Sequence, residues 1–124
     1  MVIKDKKVLV LGGWGLVGMA VCKRLIEEGA SELVILSLEK WQSEEAVKDL
    51  KKSTNISITA EWGNMFVRTS LKDLNRGDIL NNPENRSLMI DDVLGDLNES
   101  ILEQSFLYQV MLKHKPQIVV DCVN

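Results

Sequence analysis

The sequence is poor in the residues that many chemistries need. Its 124 residues include one histidine, one tyrosine, two cysteines and two prolines. One histidine is too few for a metal site, and neither Cys22 nor Cys122 belongs to a C-x-x-C pair. A reduced, cytoplasmic chain is the simple reading. Long apolar runs are missing too. After the charged start MVIKDKK, the run Val8 to Leu11 is too short for a signal-peptide core and far too short for a membrane span. The net charge is only -3, which gives no support to nucleic-acid or membrane-surface partners. Internal repeats, low-complexity tracts and interdomain linkers are absent. Asn55-Ile-Ser, Asn85-Arg-Ser and Asn98-Glu-Ser match the glycosylation pattern without a secretion signal, and we read them, like Arg76-Gly-Asp78, as chance.

The sequence does contain an alternation of short apolar runs and amphipathic stretches. Val8 to Leu11 reads as a strand buried on both faces. From Leu16 to Glu28 the period changes to helical, with Val17, Ala20, Val21 and Leu25 on one face, Met19, Cys22 and Ile26 beside it, and Gly29 as the stop. Leu33 to Leu36 predicts a second buried strand, and Ser43 to Lys52 a polar helix striped by Ala46, Val47 and Leu50. Ile56 to Trp62 alternates as a third strand. The segment from about Gly63 to Asp92 reads as an insertion with one or two short helices, too long to be a plain loop. Ser100 to Glu103 is an S-x-x-E capping box, opening a helix to about His114 that Pro116 stops. Ile118 to Val123 predicts a fourth strand. Strands alternating with helices imply an α/β fold: a doubly wound parallel sheet of the Rossmann type, in strand order 3-2-1-4.

The chemistry concentrates in VLVLGGWGLVG. Gly13-x-Gly15-x-x-Gly18 is the dinucleotide pattern, and Gly12-x-x-Gly15-x-x-Gly18 overlaps it. The first glycine permits the tight turn out of the strand. The middle one lets the backbone approach a pyrophosphate, and the last lets the helix pack close to the sheet. N–H groups at the helix N-terminus then face the anion. Gly12, Gly13, Trp14, Gly15, Leu16, Val17 and Gly18 are therefore the expected phosphate cradle. A glycine-rich turn without a ligand is the alternative.

These residues, with EEGASELVILS, VLGDLNES and KHKPQIVVDCVN, resemble the N-terminal half of the extended short-chain dehydrogenase/reductases, the NAD-dependent epimerase/dehydratase group. That resemblance implies an oxidoreductase or epimerase binding NAD or NADP. It places Gly12, Gly15 and Gly18 on the pyrophosphate. Gly95, Asp96 and Leu97 match the family's adenine-side G-D-L. Lys115 to Asn124 match the strand ending beside the nicotinamide ribose, so Cys122, Val123 and Asn124 fall at the cofactor.

The chain departs from the family pattern in three places. The acid usual at the end of the second strand is replaced by Ser37, with Lys40 three residues on. A carboxylate there repels a 2′-phosphate and serine does not, so NADP is favoured over NAD, although a shifted count would put the acid Glu39 at that position and Lys40 also reads as a solvated loop lysine. Gly63-Asn64 competes with Gly95-Asp96 for the adenine, and Asp96 is preferred because a capped helix and a strand follow it at normal spacing. The family's Tyr-x-x-x-Lys pair is missing: Tyr108 is followed four residues on by Leu112, and a half-exposed helix tyrosine is the better reading.

Trp14, Trp41 and Trp62 each fall at or just past the end of one of the first three strands. Trp14 either lines the pyrophosphate or a substrate, or caps the sheet rim. Trp41 either stacks near the adenine or caps the rim. His114 is read as a helix-end cation, Cys22 as core, and Cys122 as a small buried residue near the cofactor. The last strand would be an uncovered apolar edge, which predicts a piece of a longer enzyme, or a half-domain that dimerises through strand four. The substrate would be a small molecule held by a C-terminal half outside these residues. Two rivals remain open: a saccharopine-dehydrogenase-like oxidoreductase, and a non-enzymatic module sensing the NADP/NADPH ratio.

Overall fold

A computed structural model describes residues 1 to 124. Four parallel strands, β1 (Lys7–Leu11), β2 (Glu32–Ser37), β3 (Ser57–Trp62) and β4 (Ile118–Asp121), form one sheet in the order β3-β2-β1-β4. This is the α/β order expected from the alternation. β1 lies between β2 and β4, with Leu11 opposite both Leu36 and Asp121. The residues of β1 and β2 are buried except Lys7 and Glu32 at their starts. Both faces are covered, which is why the runs are continuously apolar rather than alternating.

The chain divides into two compact units: residues 1–62 with 114–124, and residues 63–113. In the first unit, α1 (Leu16–Glu27) and α2 (Lys40–Leu50) connect the strands. The buried stripe of α1 is Gly18, Cys22 and Leu25. Cys22 and Leu25 lie inside as expected, and Val21 packs against the core, but the expected face is corrected at two positions. Val17 is 63% exposed and Ala20 is also exposed, because Gly18 packs on the Gly12–Gly13 backbone and turns those residues outward. Gly29, at φ +88°, takes the left-handed turn after the helix, a position glycine adopts without strain.

Helix α2 starts at Lys40 rather than Ser43. The Glu39 N–H is met by Gln42 Oε1 at 3.0 Å, which lets the helix begin three residues early. Lys40 and Trp41 are thus first-turn helical residues. Strand β4 stops at Asp121, short of the expected Val123.

The second unit holds a 3₁₀ turn at Thr69–Leu71, then α3 (Arg76–Asn81), α4 (Pro83–Leu94), α5 (Glu99–Gln104) and α6 (Phe106–His114), whose last residue falls in the first unit. Asn75, Asn82 and Asn98 cap α3, α4 and α5 through their side-chain oxygens, satisfying N–H groups that a helix start leaves open. The single helix expected from Ser100 to His114 is two. Its cap is Asn98, and it breaks at Ser105, which bridges Arg68 in an isolated antiparallel pair. Phe106 N–H donates to Val67 O at 3.1 Å instead of continuing the helical ladder. Arg68 grips Asp92 with two hydrogen bonds of 2.6 and 2.8 Å and Gln104 with a third. Asp92 raises the Arg68 pKa, chiefly through the hydrogen bond. No helix is long and apolar enough to cross a membrane.

Candidate functional site: the glycine loop

β1 hands the chain directly into the loop. Gly12 N–H donates to Leu36 O at 2.8 Å, continuing the β1–β2 ladder. Gly12 has φ +73°. A Cβ there would stand 3.0 Å from the carbonyl carbon and oxygen of Cys122. At Gly13 a Cβ would stand 2.6 Å from Ile35 Cγ2, and at Gly18 it would overlap the Gly12 carbonyl oxygen. Those three glycines are therefore required by the protein's own packing.

Gly15 is different. It is the N-cap of α1, with φ -61° and ψ 170°, a conformation open to any residue. A Cβ on it would meet only Gly12 O, at an ordinary 3.7 Å. Nothing inside the chain requires glycine here.

The helix that begins after Gly15 has no side-chain cap and no acid in its first turn. Its first N–H groups, at the positive end of the helix dipole, have no partner within the helix. Leu16 and Val17, on that first turn, are 93% and 63% exposed. Leu38, Trp41 and Val123 are exposed as well.

Trp14 is held from β2 and α2. Its backbone N–H donates to Ser37 Oγ at 3.2 Å, and its indole N–H to Glu45 Oε2 at 3.0 Å. Its ring meets Trp41 edge-on, with centroids 5.0 Å apart and planes at 75°. Ser37 is buried, so its hydroxyl serves the loop from below. Ser43 was missed by sequence reasoning. It is fully buried, accepts Ser37 N–H at 3.0 Å and donates to Glu61 O at 2.6 Å. A serine on a polar helix carries no signal of that role.

Lys40 Nζ stands 5.1 Å from the centroid of Trp62 and 3.8 Å from Glu44, and it remains largely exposed. On the other side of the loop, Cys122 N–H donates to Leu11 O, and Val123 N–H to Asp121 Oδ1. Asn124 follows in the open. Burial raises the Cys122 thiol pKa, with help from Asp121. Burial pushes Cys22 up to about 12, with a smaller contribution from Cys122. Asp96 and Leu97 follow α4 in the second unit, with Leu97 74% exposed, whereas Gly63-Asn64 directly continues β3. Gly63 has φ +136°, and a Cβ there would crowd Phe106 and Lys72. Tyr108 is half-buried in α6, with Leu112 one turn on. His114 is buried, its Nε2 2.6 Å from Glu61 Oε1. The helix-end position predicted for it is correct, but the partner 53 residues away was not visible in the sequence.

A family model described as the KR domain matches residues 7–74, more than half of the chain. The chain belongs to the KR domain family, a branch of the short-chain dehydrogenase/reductases. Among solved structures it is similar to Pen from Bacillus thuringiensis, at 14% identity and a TM-score of 0.51, over 98% of this chain and 39% of that one. Looser likenesses include L-sorbose reductase from Gluconobacter frateurii, complexed with NADPH and L-sorbose (13% identity, TM-score 0.48, 90% of this chain and 47% of that one). Another is a short-chain dehydrogenase from Sphingobium yanoikuyae in complex with NADPH (12%, 0.48, 94% and 52%). At 14% identity the likeness to Pen shows the fold alone. The chain spans between 39% and 52% of the length of these structures. No curated protein matches the sequence.

Proposed function

We propose that this chain is the cofactor-binding part of an NAD(P)-dependent oxidoreductase or epimerase, and that the loop Gly12–Gly18 holds the dinucleotide pyrophosphate. Gly15 carries the reading. It is the one loop glycine that neither the backbone conformation nor internal packing demands. A Cβ there would stand at an uncapped helix N-terminus, where an anion is attracted by N–H groups and dipole together. The exposed apolar side chains of Leu16, Val17, Leu38 and Trp41 suit a ligand with flat, partly apolar rings. Cys122, Val123 and Asn124 line the same end of the sheet and are assigned to the nicotinamide side.

When bound, the cofactor supplies a hydride acceptor or donor at its nicotinamide ring. The protein's own part is to seat the pyrophosphate and orient the two halves. NADP is favoured: Ser37 brings no charge, and Lys40 offers an exposed ammonium in the first turn of α2. The finer assignment to the extended epimerase/dehydratase type rests on the Gly12, Gly15, Gly18 spacing and on Gly95-Asp96-Leu97 as the adenine contact. The substrate is a small molecule.

The test is a titration with NADPH and, separately, NADH, exciting tryptophan. Trp14 and Trp41 lie at the loop, so saturable quenching is expected, tighter for NADPH. No binding of either cofactor to the folded chain by calorimetry would overturn the proposal.

A further inference from the structure

Trp14 interrupts the glycines at a point where a small residue would serve the turn equally well. It is pinned at three places, and all three come from β2 and α2: Ser37 Oγ on its backbone N–H, Glu45 Oε2 on its indole N–H, and the ring of Trp41. Glu45 also lines, with Trp14, Met19 and other residues of α2, a cleft of about 370 Å³. Gly13 and Gly15 flank Trp14, and glycines lose more conformational freedom on ordering than any other residue. A loop of this composition is costly to order at the moment of binding, unless something orders it beforehand. Holding both the backbone and the side chain of the central residue does that.

We propose that Glu45 is a positioning residue for the dinucleotide site: its carboxylate anchors the Trp14 indole and so holds the glycine loop in its binding conformation before the cofactor arrives. The inference rests on the cofactor reading above. Glu45 need not touch the ligand, and as an anion near a phosphate site it would on charge alone weaken binding. The two effects have opposite signs, so the experiment separates them.

The variants are Glu45→Ala, Glu45→Gln, Trp14→Phe and the double variant Glu45→Ala/Trp14→Phe, in the whole chain. Affinity for NADPH and NADH is read by calorimetry, because Trp14→Phe alters the fluorescence. Glu45→Ala should weaken both cofactors equally, by about 3–10-fold, the range for an exposed charge-assisted hydrogen bond. Equal loss is expected because the pyrophosphate is common to both. Glu45→Gln keeps an acceptor oxygen and should stay near the parent chain. Trp14→Phe should match Glu45→Ala, and the double variant should be no weaker than either. Without cofactor, the amides of Trp14 and Gly15 should exchange with deuterium faster in Glu45→Ala and Trp14→Phe, at an unchanged melting temperature. The proposal is overturned if Glu45→Ala binds as the parent does, or if Glu45→Ala and Glu45→Gln both bind more tightly. Additive losses in the double variant overturn it too. A parent chain that binds neither cofactor brings down the cofactor reading, and this inference with it. A parent that binds with an indifferent Glu45→Ala brings down this inference alone.

Discussion

Replacing Gly15 with alanine should leave the fold standing and remove the cofactor, whereas the same change at Gly18 should damage both. The structure sets the magnitudes. At Gly15 the new methyl meets only Gly12 O at 3.7 Å, and φ is -61°. Alanine is a poorer N-cap than glycine, at about 0.5–1 kcal/mol. It offsets this by about 0.4–1 kcal/mol through a less flexible unfolded chain. Stability should therefore move by less than about 1 kcal/mol, or roughly 4 °C in melting temperature for a chain of this size. At Gly18 the methyl would overlap the Gly12 carbonyl oxygen and come 2.7 Å from Gly13 Cα. Backbone on both sides cannot yield as a flexible side chain does, so a loss of about 1–3 kcal/mol or more is expected. The helical gain of alanine over glycine, about 1 kcal/mol, only trims it. Thermal melts followed by circular dichroism would measure the stability of each variant, and calorimetric titration with NADPH the binding. Gly15→Ala should melt like the parent and bind at least about tenfold more weakly, a difference of roughly 1.4 kcal/mol. A Gly15→Ala variant that binds NADPH as tightly as the parent would refute the reasoning that reserves this position for the pyrophosphate.

Lys40→Ala should weaken NADPH by up to about fivefold and leave NADH unchanged, the scale of an exposed charge pair, as measured by parallel titrations. Ser43→Ala leaves the buried Ser37 N–H without its Ser43 acceptor, and should cost about 1–3 kcal/mol in urea unfolding. Arg68→Ala should destabilise the chain by about 3 kcal/mol, because Asp92 would be left nearly buried and unpaired. Arg68→Lys should recover little of it, since an ammonium cannot make the paired contact. Cys22 should resist a thiol reagent at pH 8 until the protein unfolds. Its pKa rises from 9.0 to about 12 on folding, so the unfolded state loses the proton first. The contribution of Cys22 to stability is complete below about pH 9 and falls away towards about pH 12. Cys22→Ala should flatten that alkaline decline in denaturant midpoints.

Particular residues show which parts of the protein were readable from the sequence. Val8–Leu11 and Leu33–Leu36 announced themselves as inner strands, because burial on both faces leaves no room for polar alternation. The glycine loop was readable because tight turning and close packing exclude side chains at fixed spacings. Helix boundaries were less so. Ser100–Glu103 satisfied a capping pattern, yet Asn98 capped the helix two residues earlier. Both residues suit the role, and only the path of the incoming chain chooses between them. The break at Ser105 came from Arg68 and Val67, more than thirty residues upstream.

The same division runs through the site. Local chemistry, read from the sequence alone, determined that a strand turns through glycines into a helix with an open N-terminus, because conformational freedom and periodicity act between near neighbours. Tertiary structure decided which of those glycines the protein needs for itself. It also decided what holds Trp14. Gly12 is answered by Cys122, Gly13 by Ile35, and the tryptophan by Ser37, Trp41 and Glu45. Each of those partners is distant in sequence, and steric exclusion and hydrogen bonding are settled only when the sheet brings them within a few ångströms.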